Sequence, residues 1–457
     1  MLKNQGLNGL IIFKKIFIIA SLPRFFPPSE GALMLISTLT AHKALQVFLF
    51  LRLGQHLFEA WIARRNALFW SDPQRQQSAA TELGISDEDM TKSFNYSVAK
   101  YKFGRIRSSF GTLMTIAFIG FGGLGIIEST AISLAAPING GSIIVGLIFY
   151  LQLLLLSQIF SLPFALYSTF VIEQNFGFNK QTWRGFFYDL LKSLLLGLAL
   201  GGPLMAAILW IMDAAGSTWW LWAWALVSAF SVLTAWLYPT LLAPLFNKFT
   251  ALEDGELKTK INELAQKVGF SSDGVYVMDA SKRSSHGNAY FTGVFGKKRI
   301  VLFDTLLENM SASEVTAVLA HELGHFKLNH VRNAMMRGLL MSLGVFYLMS
   351  LLINKSVFFE AFALDDISNY GGLLIFFLWF GLVEFILQPF ETWLSRSNEF
   401  AADRFAKETL GSPNDLINAL KKLREKSFVM PLSHPLYSMI YHSHPPMLER
   451  LRSLAQK

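Results

Sequence analysis

About seven apolar stretches, each close to the ~20 residues that cross a bilayer, dictate most of what this chain can fold into. They fall at roughly 34–53, 112–134, 142–170, 190–212, 218–243, 335–354 and 370–390. In hydrocarbon every backbone N–H and C=O must be satisfied within the protein, so such stretches are read as helices. Hydrophobic residues make up 52% of the chain and charged residues 16%, where soluble domains carry about 25% charged residues. The first stretch is the weakest, because Lys43 interrupts it.

The connections alternate in charge. The segment after the first stretch carries Arg64, Arg65, Arg75, Lys92, Lys100, Lys102, Arg105 and Arg107, whereas residues 135–141 carry no charge. Lys180 and Arg184 mark the next loop, and the turn near Asp213 has no basic residue. The segment after the fifth stretch and the tail after the seventh are basic again. The positive-inside rule therefore puts both on the cytoplasmic side. This also accounts for the net charge of +8 without nucleic acid, for which no basic-aromatic module is present. Residues 1–33 hold Lys3, Lys14, Lys15 and Arg24 and fit this map poorly. They read as an N-terminal extension: either the natural start is Met34, or the segment is an interfacial amphipathic anchor. Within the spans, Gln152 and Gln158 read as interhelical hydrogen-bonding groups, and Glu128 and Glu384 as residues facing protein or water.

Between the fifth and sixth stretches the pattern changes. Leu257, Ile261, Leu264 and Val268 predict an amphipathic helix, and 275–278, 288–293 and 299–303 predict three short strands. Ser311 and Glu314 form a capping box that starts a helix near Ala312. That helix carries His321-Glu322-Leu323-Gly324-His325, a His-Glu-x-x-His pattern of which composition alone predicts ~0.007 accidental copies. Residues four apart share a helix face, so the two imidazoles can hold one zinc ion. Glu322 lies about 100° round the helix and is free to take a proton from water instead of binding metal.

The chain has no cysteine. A catalytic zinc with three protein ligands must therefore take the third from His, Asp or Glu. Glu399 and Asp403, four apart beyond the last apolar stretch, are candidates: Glu399 as a ligand, Asp403 as a carboxylate holding a ligand imidazole. Spacing alone leaves a plain solvated pair equally open.

HELGH and SRSNEFAAD (395–403) together resemble the type I CAAX prenyl proteases, which are integral-membrane zinc endopeptidases, with a bacterial-type homologue as the nearest description. LPFALYSTFVIEQNFGFNKQT (162–182), HGNAYFTG (286–293), KRIVLFDTLL (298–307) and SHPPMLERL (443–451) extend the resemblance from about Phe103 to the C-terminus. The resemblance implies a mainly α polytopic fold, with about seven transmembrane helices forming an intramembrane chamber capped by a small α+β zincin domain. It implies that His321, His325 and Glu399 bind one zinc ion and that Glu322 is the general base. His444 would stabilise the oxyanion, Asp403 would support a ligand, and Asn288, Arg450 and His286 would bind substrate, with pairing to an acidic neighbour as the alternative for Arg450. His330, His434 and His442 read as surface or packing residues.

The expected organisation is an extension at 1–33, transmembrane helices 1–5 over 34–245, the metalloprotease domain over 246–334, helices 6–7 over 335–390, and the rest of the catalytic domain over 391–457. The expected partners are a peptide or protein substrate, prenylated or not, and the lipid bilayer, and the expected setting is a bacterial inner membrane. The rivals are a quality-control protease without a prenyl requirement, a non-proteolytic zinc-dependent membrane chaperone and a transporter. Glu322 argues against the chaperone, and the lack of a repeat between halves argues against the transporter.

Overall fold

The computed structural model describes residues 40–292 and 298–456. The readings made for 1–33, for Met34, for the opening of the 34–53 stretch and for Gly293 lie outside the described residues. Five described helices are long and apolar enough to cross a membrane: Ser142–Glu173, Trp183–Ala214, Gly216–Leu245, His330–Leu352 and Asn369–Leu410. Asp87–Gly120 and Gly123–Ile138 make a sixth if the pair, bent by 66°, counts as one span. The bend sits at Gly122, whose φ of 74° is open to glycine at little cost. About seven spans were expected. The first stretch does form a helix, Ala41–Trp70, but Lys43, Arg52, His56 and Glu59 dilute it, and it is not among the five or six. In the five unbroken spans only 11–39% of the most apolar window is buried inside the protein. So much bare apolar surface suits lipid as the surrounding medium, since association there does not depend on hiding such surface from water.

Polar groups inside these spans fasten elements together. Gln152 accepts a hydrogen bond from Thr130 Oγ1 at 2.6 Å and donates to the Ile127 carbonyl at 3.3 Å, the interhelical role expected of it. Glu128 is buried, and both of its oxygens are used. One accepts from the Tyr370 hydroxyl and the other from the Asp365 backbone N–H, each at 3.0 Å. It thereby clasps the turn that leads into the last span.

The chain between the fifth and sixth expected spans folds as the periodicity indicates. The amphipathic helix is Glu256–Val268, followed by strands β2 (Val275–Met278), β3 (Ala289–Thr292) and β4 (Arg299–Phe303). One strand, β1 (Phe249–Ala251), has only three residues and no alternation long enough to read from sequence. The sheet order is β1-β2-β4-β3, with β2 and β4 parallel and the outer pairs antiparallel. β3 is thus an edge strand. Ala289 from β3 joins Ile300 and Leu302 from β4 in a core that also takes in Val315, Val318, Leu319 and Leu323 of the HELGH helix.

That helix, Ala312–Lys327, starts where the capping box places it. Glu314 Oε2 accepts from Ser311 N at 2.7 Å, Ser311 Oγ accepts from Glu314 N at 3.3 Å, and Lys422 pairs with Glu314 at 2.7 Å. Opposite runs one helix of 42 residues, Asn369–Leu410. At 1.5 Å per residue it spans about 63 Å, roughly twice the hydrocarbon thickness. It continues without a break through residue 390, where the sequence placed the end of the last span.

Candidate metal centre and active site

Two helices build the centre, and a glycine lets them approach. A Cβ on Gly324 would stand 3.1 Å from the Ala402 Cα and 3.3 Å from its Cβ. With glycine at one position and a fully buried alanine at the other, the HELGH helix lies directly on the long helix. About one turn before that contact on each helix, His321 meets Glu399, and immediately after it His325 and Asp403 complete the cluster.

Three donors converge. His321 Nε2 and His325 Nε2 lie 3.3 Å apart. Glu399 Oε2 is 3.5 Å from the first and Oε1 is 3.4 Å from the second. A tetrahedral zinc site with bonds of about 2.0–2.1 Å has ligand–ligand edges of about 3.3–3.4 Å, so these spacings are those of a coordination shell. Glu399 Oε2 is also buried without a hydrogen-bond partner. A buried carboxylate oxygen left in this way is costly unless a cation takes it up. Among the described residues, His321, His325 and Glu399 are the group whose donor atoms are gathered tightly enough to hold a metal ion.

The far nitrogens of both imidazoles are held. Asp403 lies 2.8 Å from His321 Nδ1, and Arg450 grips the same carboxylate through Nε at 2.8 Å and a terminal nitrogen at 2.5 Å. This chain of contacts directs Nε2 of His321 into the centre. Burial alone would push the His321 imidazole below its usual pKa, but Asp403 and then Glu399 raise it to about 9. The negative field that holds a proton there favours a divalent cation in the same place. Glu322 lies off the ligand face, and burial pushes its carboxyl above the ordinary value, with His321 and His325 pulling the other way.

His444 stands across the centre with Nε2 3.6 Å from Glu399 Oε1, and its side chain is 54% exposed. Arg450 pairs with an acidic neighbour, its side chain buried against Asp403 and its third nitrogen 3.8 Å from Glu399. Asn288 immediately precedes edge strand β3, its side-chain oxygen accepting from Ala289 N at 2.9 Å. His286 turns to another cluster: it stacks on Phe178 with ring centroids 4.4 Å apart, and its Nε2 lies 3.8 Å from Glu173. Glu173 also accepts from Tyr96 at 2.8 Å and Lys100 at 3.0 Å.

The sequence reading missed His330. Its Nδ1 is 3.0 Å from His325 Nδ1, so it supports the second imidazole as Asp403 supports the first. Helical spacing gives no sign of this, because Asn329, with φ 58°, breaks the helix between the two histidines. His434 is a packing residue, capping the helix Pro435–Tyr441 by accepting from Leu436 N at 3.2 Å. His442 contributes its carbonyl, which accepts from Arg396 at 3.0 Å.

Comparison with known proteins gives a consistent picture. Residues 73–248 match the family described as "CAAX prenyl protease N-terminal, five membrane helices", and residues 251–457 match "Peptidase family M48". A CAAX prenyl protease 1 homolog of Oryza sativa subsp. japonica is 40% identical over 81% of this chain and 88% of the relative. CAAX prenyl protease 1 of Saccharomyces cerevisiae is 36% identical over 88% and 93%. The crystal structure of S. mikatae Ste24p superposes with a TM-score of 0.83 at 35% identity, covering 90% of this chain and 98% of that one. The multi-pass membrane setting stands, but the bacterial inner membrane expected from the sequence finds no support in these relatives, which are eukaryotic.

Proposed function

The chain belongs to the CAAX prenyl protease 1 family of membrane zinc metalloproteases, and from that premise we propose that it hydrolyses a peptide bond near the C-terminus of prenylated proteins. One observation carries the reading: three donors at tetrahedral-edge spacing, one of them an orphaned carboxylate oxygen, beside a glutamate that is not among them. His321, His325 and Glu399 hold one zinc ion. When bound, zinc supplies Lewis-acid polarisation of the scissile carbonyl and brings the pKa of water towards about 7.

The remaining steps belong to side chains. Glu322 takes the proton of the attacking water and delivers it to the leaving amine. Its burial raises its affinity for that proton, which suits a group that must receive it and release it within one turnover. His444 donates to the oxyanion that grows on the attacked carbonyl. Asp403 and His330 fix the ligand imidazoles, and Arg450 fixes Asp403. The substrate backbone adds to the open edge of β3, where Asn288 offers its amide to one end. His286, backed by Glu173, holds the chain leading into that edge against the membrane helices. The peptide enters from a chamber enclosed by the spans, and the metal domain lies on their cytoplasmic side by the distribution of Lys and Arg.

Wild type and Glu322→Gln are assayed on one peptide panel, prenylated and plain. Turnover of the prenylated members by wild type alone is the expected result. Equal turnover of both kinds leaves a membrane protease without a prenyl requirement. Turnover by Glu322→Gln removes that residue as the base.

A further inference from the structure

The segment that carries His444 has little structure of its own between the helices Pro435–Tyr441 and Met447–Ala455. Ser443 and His444 share a hydrogen bond at 3.1 Å, but that contact is local and does not tie them to the metal centre. What fixes the segment is Arg396. One guanidinium nitrogen, Nη1, lies within hydrogen-bond distance of three backbone carbonyls at the end of the preceding helix and the start of the segment, which share its two hydrogens: Ser438 at 2.7 Å, Met439 at 3.2 Å and His442 at 3.0 Å. One turn earlier, Thr392 donates to the Met439 carbonyl at 2.5 Å. The last carbonyls of a helix have no partner within it and carry partial negative charge, so a cationic donor placed against them gathers them.

Arg396 is three residues before Glu399 on the same helix, so the two side chains share a face. One helix surface therefore presents both the ligand carboxylate and the clamp for the segment ending in His444. The path from the clamped His442 carbonyl to the His444 ring is two residues. The 3.6 Å between His444 Nε2 and Glu399 Oε1 is set at this clamp.

We propose that Arg396 is a positioning residue for catalysis, which holds His444 over the attacked carbonyl by clamping the helix end before it; this rests on the oxyanion role read for His444. Loss of one well-placed oxyanion donor costs about 10²–10³ in kcat. Arg396→Met lowers kcat by about 10- to 100-fold, part of that loss, because the segment still visits the working geometry. KM and the zinc-to-protein ratio stay at wild-type values. Arg396→Lys, which keeps the charge but reaches fewer carbonyls, falls between.

The deciding experiment is a double-mutant cycle on the full chain with a single prenylated peptide: wild type, Arg396→Met, His444→Ala and both together, each checked for zinc content and thermal unfolding. If Arg396 works through His444, the double variant is no slower than His444→Ala. Losses that multiply overturn the proposal, as does a fall in zinc content that accounts for the lost turnover. An active Arg396→Met beside a crippled His444→Ala removes the positioning role alone. A fully active His444→Ala removes the oxyanion reading and the positioning role with it. Should Arg396→Met misfold, Thr392→Val opens the neighbouring tie without removing a charge and enters the same cycle.

Discussion

Two buried glutamates sit in distant parts of this molecule, and their surroundings separate structure from chemistry. Glu128 has both oxygens occupied, by the Tyr370 hydroxyl and the Asp365 backbone N–H. Glu399 is also buried but keeps one oxygen, Oε2, without a hydrogen-bond donor, while its two oxygens face the two imidazole nitrogens, one each. The first is a finished clasp, since each oxygen that folding took from water has been given a donor. The second is unfinished without a cation. Burial does not distinguish them; satisfaction does.

The comparison breaks if the two residues behave alike on substitution. The largest expected effect is at Glu399: replacing it with alanine abolishes proteolysis and drops the zinc stoichiometry measured by metal analysis. Next comes Glu322→Gln, which keeps zinc and loses about 10²–10⁴ in kcat; zinc lost in step with activity would make Glu322 part of the shell. Gly324→Val follows, because its side chain meets the Ala402 backbone and pries the two ligand helices apart. It should weaken zinc about 10- to 100-fold in a chelator competition while the spans stay folded. The smallest effect on chemistry is at Glu128. Alanine there should lower stability by about 1–3 kcal/mol, leaving a hydroxyl and an N–H unpaired, with kcat per folded molecule unchanged. A Glu128 variant that folds normally but does not cut would end the distinction.

A pH profile sharpens the same contrast. Glu322 works as a base only when ionised, and burial raises its pKa above the usual 4.5. Activity should therefore fall on the acid side through an inflection above that value, and the inflection should be missing from the residual activity of Glu322→Gln.

Much of this was legible in the chain. The His-Glu-x-x-His spacing, the capping box at Ser311 and the strands at 275–278 and 299–303 are local patterns, and local patterns survive folding. Glu399 and Asp403 were visible as a pair but not as ligands, because Glu399 comes 74 residues after His325 and the gap is closed by helix packing such as the Gly324–Ala402 contact. His330 was hidden by a backbone break at Asn329 that restarts the helical phase. The role of Arg396 was hidden because its partners are carbonyls, which every residue has and which leave no mark on a sequence. Among the described residues five or six helices meet the length and apolarity of a span, and Ala41–Trp70, which covers most of the first expected stretch, is helical but more polar than these.

The long helix has a consequence for how the enzyme comes into being. During synthesis the two histidines are made first, and the third donor follows only after His330–Leu352 and the apolar part of Asn369–Leu410 have emerged. Because Glu399 is carried on the same unbroken helix as the last span, it reaches the histidines only once that span is threaded in the right direction and to the right depth. If either of the two spans between them failed to cross, the histidines would lie on one side of the bilayer and the carboxylate on the other. The three donors are therefore brought together only after both spans are in place.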